Sequence, residues 1–494
     1  MNRRTTAVLA ATGLLALAAC GSSAKQAETP ATTAAGATTA APAATTAAPA
    51  ATPAAPAATT AAPAATTAAP AVTTAAPAAA GSYKTDPSWG GVAESTAGDK
   101  CGKGTGQKAT GAPIKIGSVS FLPAFHEGPA AEAAYFKCVN DNGGINGRPI
   151  EYTSLDDESD PAKGAAAATK LIESEKVVAI TGGFSFLDCP VNGKTYTDKG
   201  YSVIVAGVPA ECFAQPNIAA TNMGPHYSAQ GAAQAVVRAG AKGKLVAVTG
   251  DAPGSEYNNT SVALVAKAAG LEYEEMIVPL ENNTVMKDPT TAVITAVKKA
   301  GKGGGVVVTF IPPAILQIMK VADEQGLVNE VIWGSATPGN DVSVAKAAPK
   351  SWDGKLLVNA ELAPLDSNGP DMKLLREVLA KYDDKTPVGS FAQMGFLIGR
   401  IVVDTLSKMP AADIDDVKKV NAALKAVVNY KTDILCKPWY YGEGKNHIPN
   451  NFDFTVAPQG GVMVTKEKCF EITALDDQLK AVRADEAAKN LNKG

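Results

Sequence analysis

From residue 114 onward, apolar positions in this chain switch between two periods. Ile114-Lys115-Ile116-Gly117-Ser118-Val119 is a short alternating run and reads as a strand. Ala130, Ala133, Ala134, Phe136, Lys137 and Cys138 then gather around one face of a helical pattern. Asn142-Gly143-Gly144 ends it, because glycine reaches the left-handed backbone of a helix C-cap without strain. Ile150 to Leu155 reads as a second strand, closed by Asp156, Asp157 and Glu158. A strand, a crossover helix and a strand make a parallel unit. The form returns downstream. Val177–Ile180 (ending at Gly182-Gly183), Val203–Val205, Leu245–Val248, Gly305–Thr309, Val331–Trp333 and Leu356–Val358 are short apolar strands. Amphipathic stretches lie at Ala162–Glu173, Ala229–Ala239, Asn259–Ala269, Met372–Tyr382, Phe391–Leu406 and Val417–Val428. The alternation predicts an α/β fold with parallel sheet.

Upstream of residue 114 the pattern changes character. Arg3 and Arg4 precede a short apolar core, Val8–Ala19, and Leu17-Ala18-Ala19-Cys20 sets a cysteine after small residues. This resembles the lipobox of bacterial lipoproteins. It implies a signal peptide over 1–19, a lipidated Cys20 and an extracytoplasmic protein held on the cell membrane through that lipid. Of the 32 prolines, eight fall between Glu28 and Ala80, where the chain is almost only Ala, Thr and Pro in units such as TTAAPAA. Such a segment has no large side chains to offset the entropy of ordering, so 20–81 is expected to be a disordered tether. Residues 82–112 read as a leader packed on the first lobe. The folded remainder, about 400 residues, is too long for a single core of ordinary size. With 48 acidic against 45 basic residues and no basic stripe, nucleic acid is not an expected partner.

The stretch VNDNGGINGRPIEYTSLDDESDP, running to Pro161, resembles the helix-end, turn and second-strand signature of the branched-chain amino-acid-binding family. These are the type I solute-binding proteins of ABC importers. The resemblance covers about 113–475. It implies two Rossmann-like lobes joined by three crossing strands, with ligand bound between them. Lobe one is then expected at 113–222 plus 360–437, lobe two at 223–359 plus 438–475, and a C-terminal tail at 476–494.

Apart from Cys20, six cysteines remain, an even set that suggests disulfides in an exported chain but allows fifteen connectivities. Proximity in the implied fold favours Cys101–Cys138, Cys189–Cys212 and Cys436–Cys469. No CxxC occurs and there are three histidines, so neither metal nor cofactor is expected.

No constellation argues for catalysis. Position 130 after His126-Glu127 is alanine where a zinc-protease helix needs its second histidine. Gly183-Phe184-Ser185-Phe186-Leu187 lacks the second glycine of a nucleophile elbow. Gly301–Gly305 precedes a strand instead of following one, so it reads as a turn. Binding is the better reading, and the chain is not expected to be an enzyme.

Ligands of open α/β sheets sit beyond the carboxyl ends of the strands. The candidates there are Phe125, His126, Phe184, Ser185, Phe186, Gly207, Val208 and Pro209 from lobe one, and Asp251, Tyr257, Phe310, Ala336 and Thr337 from lobe two. Amino-acid-binding relatives imply a hydroxyl in the loop after the fourth strand and a carboxylate after the Val331 strand. Here Pro209 and Ala336 or Thr337 stand at those places. A buried ammonium without a counter-charge costs several kcal/mol, roughly, which disfavours a plain α-amino acid. Asp341 on a shifted loop is the minority rescue. The expected function is delivery of a small organic solute to an ABC permease by a monomeric binding protein with aromatic cleft walls. The rival is a ligand sensor or cell-envelope interaction protein on the same fold.

Overall fold

The structure is a computed structural model that describes residues 82–443 and 447–493. The expected signal segment, Cys20 and the Ala/Thr/Pro tether lie outside the described residues.

The first sheet contains β1 (Ile114–Ser120), β2 (Ile150–Asp156), β3 (Ala179–Gly183), β4 (Val203–Val205) and β5 (Ile218–Ala220), in the order β2-β1-β3-β4-β5. All its pairings are parallel, as the strand–helix–strand pattern requires. The second sheet contains β6 (Lys244–Gly250) and β7 (Glu272–Val278) and, past the small hairpin of β8 (Leu280–Glu281) and β9 (Val285–Met286), β10 (Gly305–Thr309), β11 (Ile332–Ser335) and β12 (Leu356–Ala360). It is completed by the antiparallel pair β13 (Phe452–Gln459) and β14 (Val462–Glu471), giving the order β14-β13-β12-β11-β10-β6-β7. Gly460 and Gly461, both at positive φ, make the two-residue turn between these last strands, a geometry that glycine adopts without cost.

The chain crosses between the sheets three times. After β5 it enters the helix Gly224–Arg238, which packs on β10, β11 and β12. After β12 it returns through the helices Pro370–Tyr382 and Ser390–Lys408, both packed on the helix Glu127–Asp141 beside the first sheet. After the helix Val417–Lys425 it runs back to β13. Two crossings pair as an antiparallel bridge, Leu362 with Leu435, where the Ala363 N–H donates to the Ile434 carbonyl at 2.7 Å. The fold is therefore mixed α/β, with two Rossmann-like lobes joined by three crossings.

Both ends of the described chain are tied to this frame. Trp89 is buried against Phe454 of β13 with ring centroids 5.0 Å apart, and the Val92 N–H donates to Leu435 O. Disulfides join Cys101 to Cys138, Cys189 to Cys212 and Cys436 to Cys469. The segment expected as a C-terminal tail contains the helix Asp477–Lys489. Asp476 caps Asp477–Lys489 through the Leu479 N–H, and Leu479 and Val482 are buried in the core of the first lobe. Among the described residues, no helix is long and apolar enough to cross a membrane.

Candidate functional site

The carboxyl ends of β1, β3 and β4 face those of β6, β10 and β11 across a cleft of about 910 Å³, its solvent-open side included. Aromatic rings build one wall. Phe125 follows β1, Phe184 and Phe186 follow β3, and Phe391 comes from the first turn of the helix Ser390–Lys408. Phe125 lies 5.1 Å from Phe186 and 5.3 Å from Phe391, and Phe184 lies 6.3 Å from Phe391. These tilted and edge-on contacts hold the rings in fixed orientations. Met394, one turn further along the same helix, extends that wall, and Phe310 after β10 stands on the opposite lobe.

Most polar groups around this space are already engaged with one another. Asn222 accepts the Gly207 N–H and donates to the Gly207 carbonyl, at 2.7 and 2.9 Å. Ser228 and Thr337 share a hydroxyl contact of 2.8 Å, Ser228 also accepts the Thr337 N–H, and the Asn359 amide donates to Ser228. Glu361, just past β12, is 1% exposed and borders the cleft. Its Oε2 accepts the Met223 N–H, and burial pushes its pKa up to about 8, against the lowering effect of that bond.

Of the residues expected from sequence, Phe125, Phe184, Phe186, Gly207, Val208, Pro209, Phe310 and Thr337 line this cleft. The others stand elsewhere. His126 is exposed where the chain turns into the helix Glu127–Asp141. Ala336 is buried, with its N–H given to the Val308 carbonyl. Asp251 is exposed and accepts the Leu280 N–H at 2.9 Å. Tyr257 stacks on His226 at 4.1 Å, in a separate small concavity with Phe213 and Gln478. Asp341 caps the helix Val342–Ala347 through the Ser343 N–H and does not reach the cleft lining. Phe391, Met394 and Glu361 were not among the sequence candidates. Of these Glu361 had a local signal, a carboxylate directly after an apolar strand.

Ser185 is engaged inside the lobe. Its hydroxyl donates to Asp157 and accepts the N–H groups of Leu187 (2.8 Å) and Asp188 (2.9 Å), ahead of the helix Asp188–Lys199. Ser185→Ala is expected to lower stability by about 1–3 kcal/mol, because it strands those buried partners. Ligand affinity of the folded protein is expected to stay unchanged. Urea unfolding alongside a binding titration checks both halves, and a weakened ligand with intact stability would contradict this placement.

The periplasmic binding protein family model matches residues 117–462. The chain belongs to this family. It is 28% identical over 338 residues to a Leu/Ile/Val-binding protein homolog of Brucella melitensis, covering 65% of this chain and 82% of that protein. Its fold is similar to the fatty acid ABC transporter substrate-binding protein from Thermomonospora curvata, with a TM-score of 0.61 at 20% identity, over 76% of this chain and 95% of the other. It is similar also to a branched-chain amino acid ABC transporter protein from Thermus thermophilus with bound valine, with a TM-score of 0.63 at 15% identity, over 76% and 100% of the two chains. These similarities concern the fold, and the chemistry of the cleft rests on the residues of this chain.

Proposed function

We propose that the protein is an extracytoplasmic, lipid-anchored solute-binding protein that captures a small organic molecule in the interlobe cleft and delivers it to an ABC importer. The observation that carries this reading is the cleft itself. Rigid aromatic walls at the carboxyl ends of two facing sheets, in a member of the periplasmic binding protein family, are suited to a ligand with an apolar body. Ligand bridging both lobes favours the closed arrangement by its differential affinity, and closure changes the surface offered to a permease. The small ligands of the family, valine in the Thermus protein among them, support the size class. The Leu17–Cys20 pattern supports anchoring through Cys20.

A thermal-shift screen over amino acids, amides, amines and short or aromatic acids is the direct test. A true ligand at 100 times its dissociation constant is expected to add about 2.7 kcal/mol of stability. No shift from any of these classes would remove the solute-binding reading. Fatty-acid labelling that persists in Cys20→Ala would remove the anchor while leaving the binding function standing.

A further inference from the structure

The charge inventory of the cleft is lopsided. Among the described residues that line it, Glu361 has the one ionisable side chain, with no lysine, arginine or histidine beside it. The neighbouring hydroxyls and amides of Ser228, Thr337, Asn359 and Asn222 are bonded to one another or to backbone. A ligand carboxylate there would meet no cation. An uncharged ligand would leave Glu361 a neutral buried acid and would gain nothing from its charge. A protonated amine satisfies both the site and itself, since two buried opposite charges in contact offset each other's desolvation.

We propose that Glu361 anchors the head group of the solute, and that this solute is an amine: a protonated nitrogen on a ring-sized or branched apolar body without a carboxylate. The nitrogen sits on Glu361 and the body lies against Phe125, Phe186 and Phe391. This deepens the solute-binding reading and rests on it. It also reverses the expectation, drawn from the loops alone, that no counter-charge for an ammonium exists. The counter-charge comes from the crossing after β12 instead of the loop after β11.

The assignment carries a proton signature. Burial holds Glu361 protonated at neutral pH. Binding an ammonium then ionises the carboxyl: the Glu361 O–H bond breaks, one proton leaves to solvent, and a carboxylate–ammonium pair remains. Amine affinity therefore rises with pH by about tenfold per unit until pH is near the Glu361 pKa, because the binding-competent carboxylate is the minor form below it. The titratable group that feels the Glu361 charge is Asp453 of β13, itself held well above the usual carboxylate range by burial. Thr337 and the Met223 N–H also bond Glu361, and neither titrates in this window.

The test uses three matched probes on the full chain: 2-phenylethylamine, 2-phenylethanol and 3-phenylpropionate, each titrated by calorimetry at pH 6, 7 and 8. The amine is expected to bind best, to release a proton, and to tighten as pH rises. Glu361→Gln is expected to weaken the amine at least 30-fold and to flatten its pH profile, with little change for the alcohol. Stronger binding of the acid, or affinity that falls with rising pH, would overturn the amine assignment and leave solute binding intact. The pH series on the unmodified chain decides this even if the variant does not fold. If none of the probes and no member of the wider screen binds, the solute-binding reading falls with it.

Discussion

Arg400→Met is expected to destabilise the protein by about 3–5 kcal/mol, the loss typical when one partner of a buried ion pair is removed. Arg400 is 1% exposed, in the middle of the helix Ser390–Lys408, and its guanidinium is fully used. Nε donates to Asp371 at 2.9 Å, Nη1 to Lys100 O at 2.7 Å and to the Tyr135 hydroxyl at 3.1 Å, and Nη2 to Ser95 and Gly98 O. Asp371 is equally buried. One side chain thus fastens residues 95–100 to two helices of the first lobe. Without it Asp371 is left as an uncompensated buried charge, beside an Asp433 already pushed up to about 7 by burial and by Asp371 itself. Pairing Arg400→Met with Asp371→Leu is expected to recover part of the loss, because no lone charge remains, while the stranded Lys100 and Gly98 carbonyls keep the rest. Urea unfolding of the four-member cycle gives the coupling. If the double variant is as unstable as the sum of the singles, the pair is not what holds this corner together.

The ion pair also shows where sequence reading stops. Strand β1 was legible by its alternation, and β3, β4, β6, β10 and β12 because each carries a short apolar run buried on both faces, while the helices between them repeat at their own period. β13 and β14 were not: Phe452, Phe454 and Val456 do alternate with Asp453 and Thr455, but Pro458 in the same run reads against a paired strand, and both pairings are antiparallel. The cleft divides the same way. Phe125, Phe184 and Phe310 lie at strand ends, so topology alone places them. Phe391 and Met394 arrive on a helix from the second half of the chain, and no local pattern says which face of that helix meets the cleft. Ser185 follows β3 and Tyr257 sits in the first turn of the helix Glu256–Ala269 after β6, yet their partners, Asp157 and His226, draw them away from the cleft lining. Position at a strand end makes a residue a candidate. The hydrogen-bond partners decide whether it is available.

Gly395→Val is expected to cost more than about 3 kcal/mol, beyond the usual range for overpacking, and to distort the cleft with it. The helices Glu127–Asp141 and Ser390–Lys408 make close helix–helix contact in the first lobe, and they meet at Gly128 and Gly395. A Cβ at 395 would lie 1.9 Å from the Gly128 carbonyl oxygen and 3.0 Å from its Cα. Both are backbone atoms of a packed helix, so no rotamer change relieves the clash and the helices must separate. Gly128 cannot yield in the other direction, because the Phe184 ring lies where its own side chain would be. Separation carries Phe391 and Met394 outward on the same helix, loosening the aromatic wall. Gly399, one turn on, is the control. A Cβ there meets the Tyr135 and Phe136 rings and the Glu132 side chain at 3.0–3.5 Å, contacts that small side-chain shifts relieve. Gly399→Ala also gains about 1 kcal/mol of helix propensity, so its net effect is expected to be near zero. Thermal unfolding of the two variants, read together with ligand affinity, separates the cases. Equal stability of Gly395→Val and the unmodified chain would mean that the two helices do not cross as closely as this packing requires.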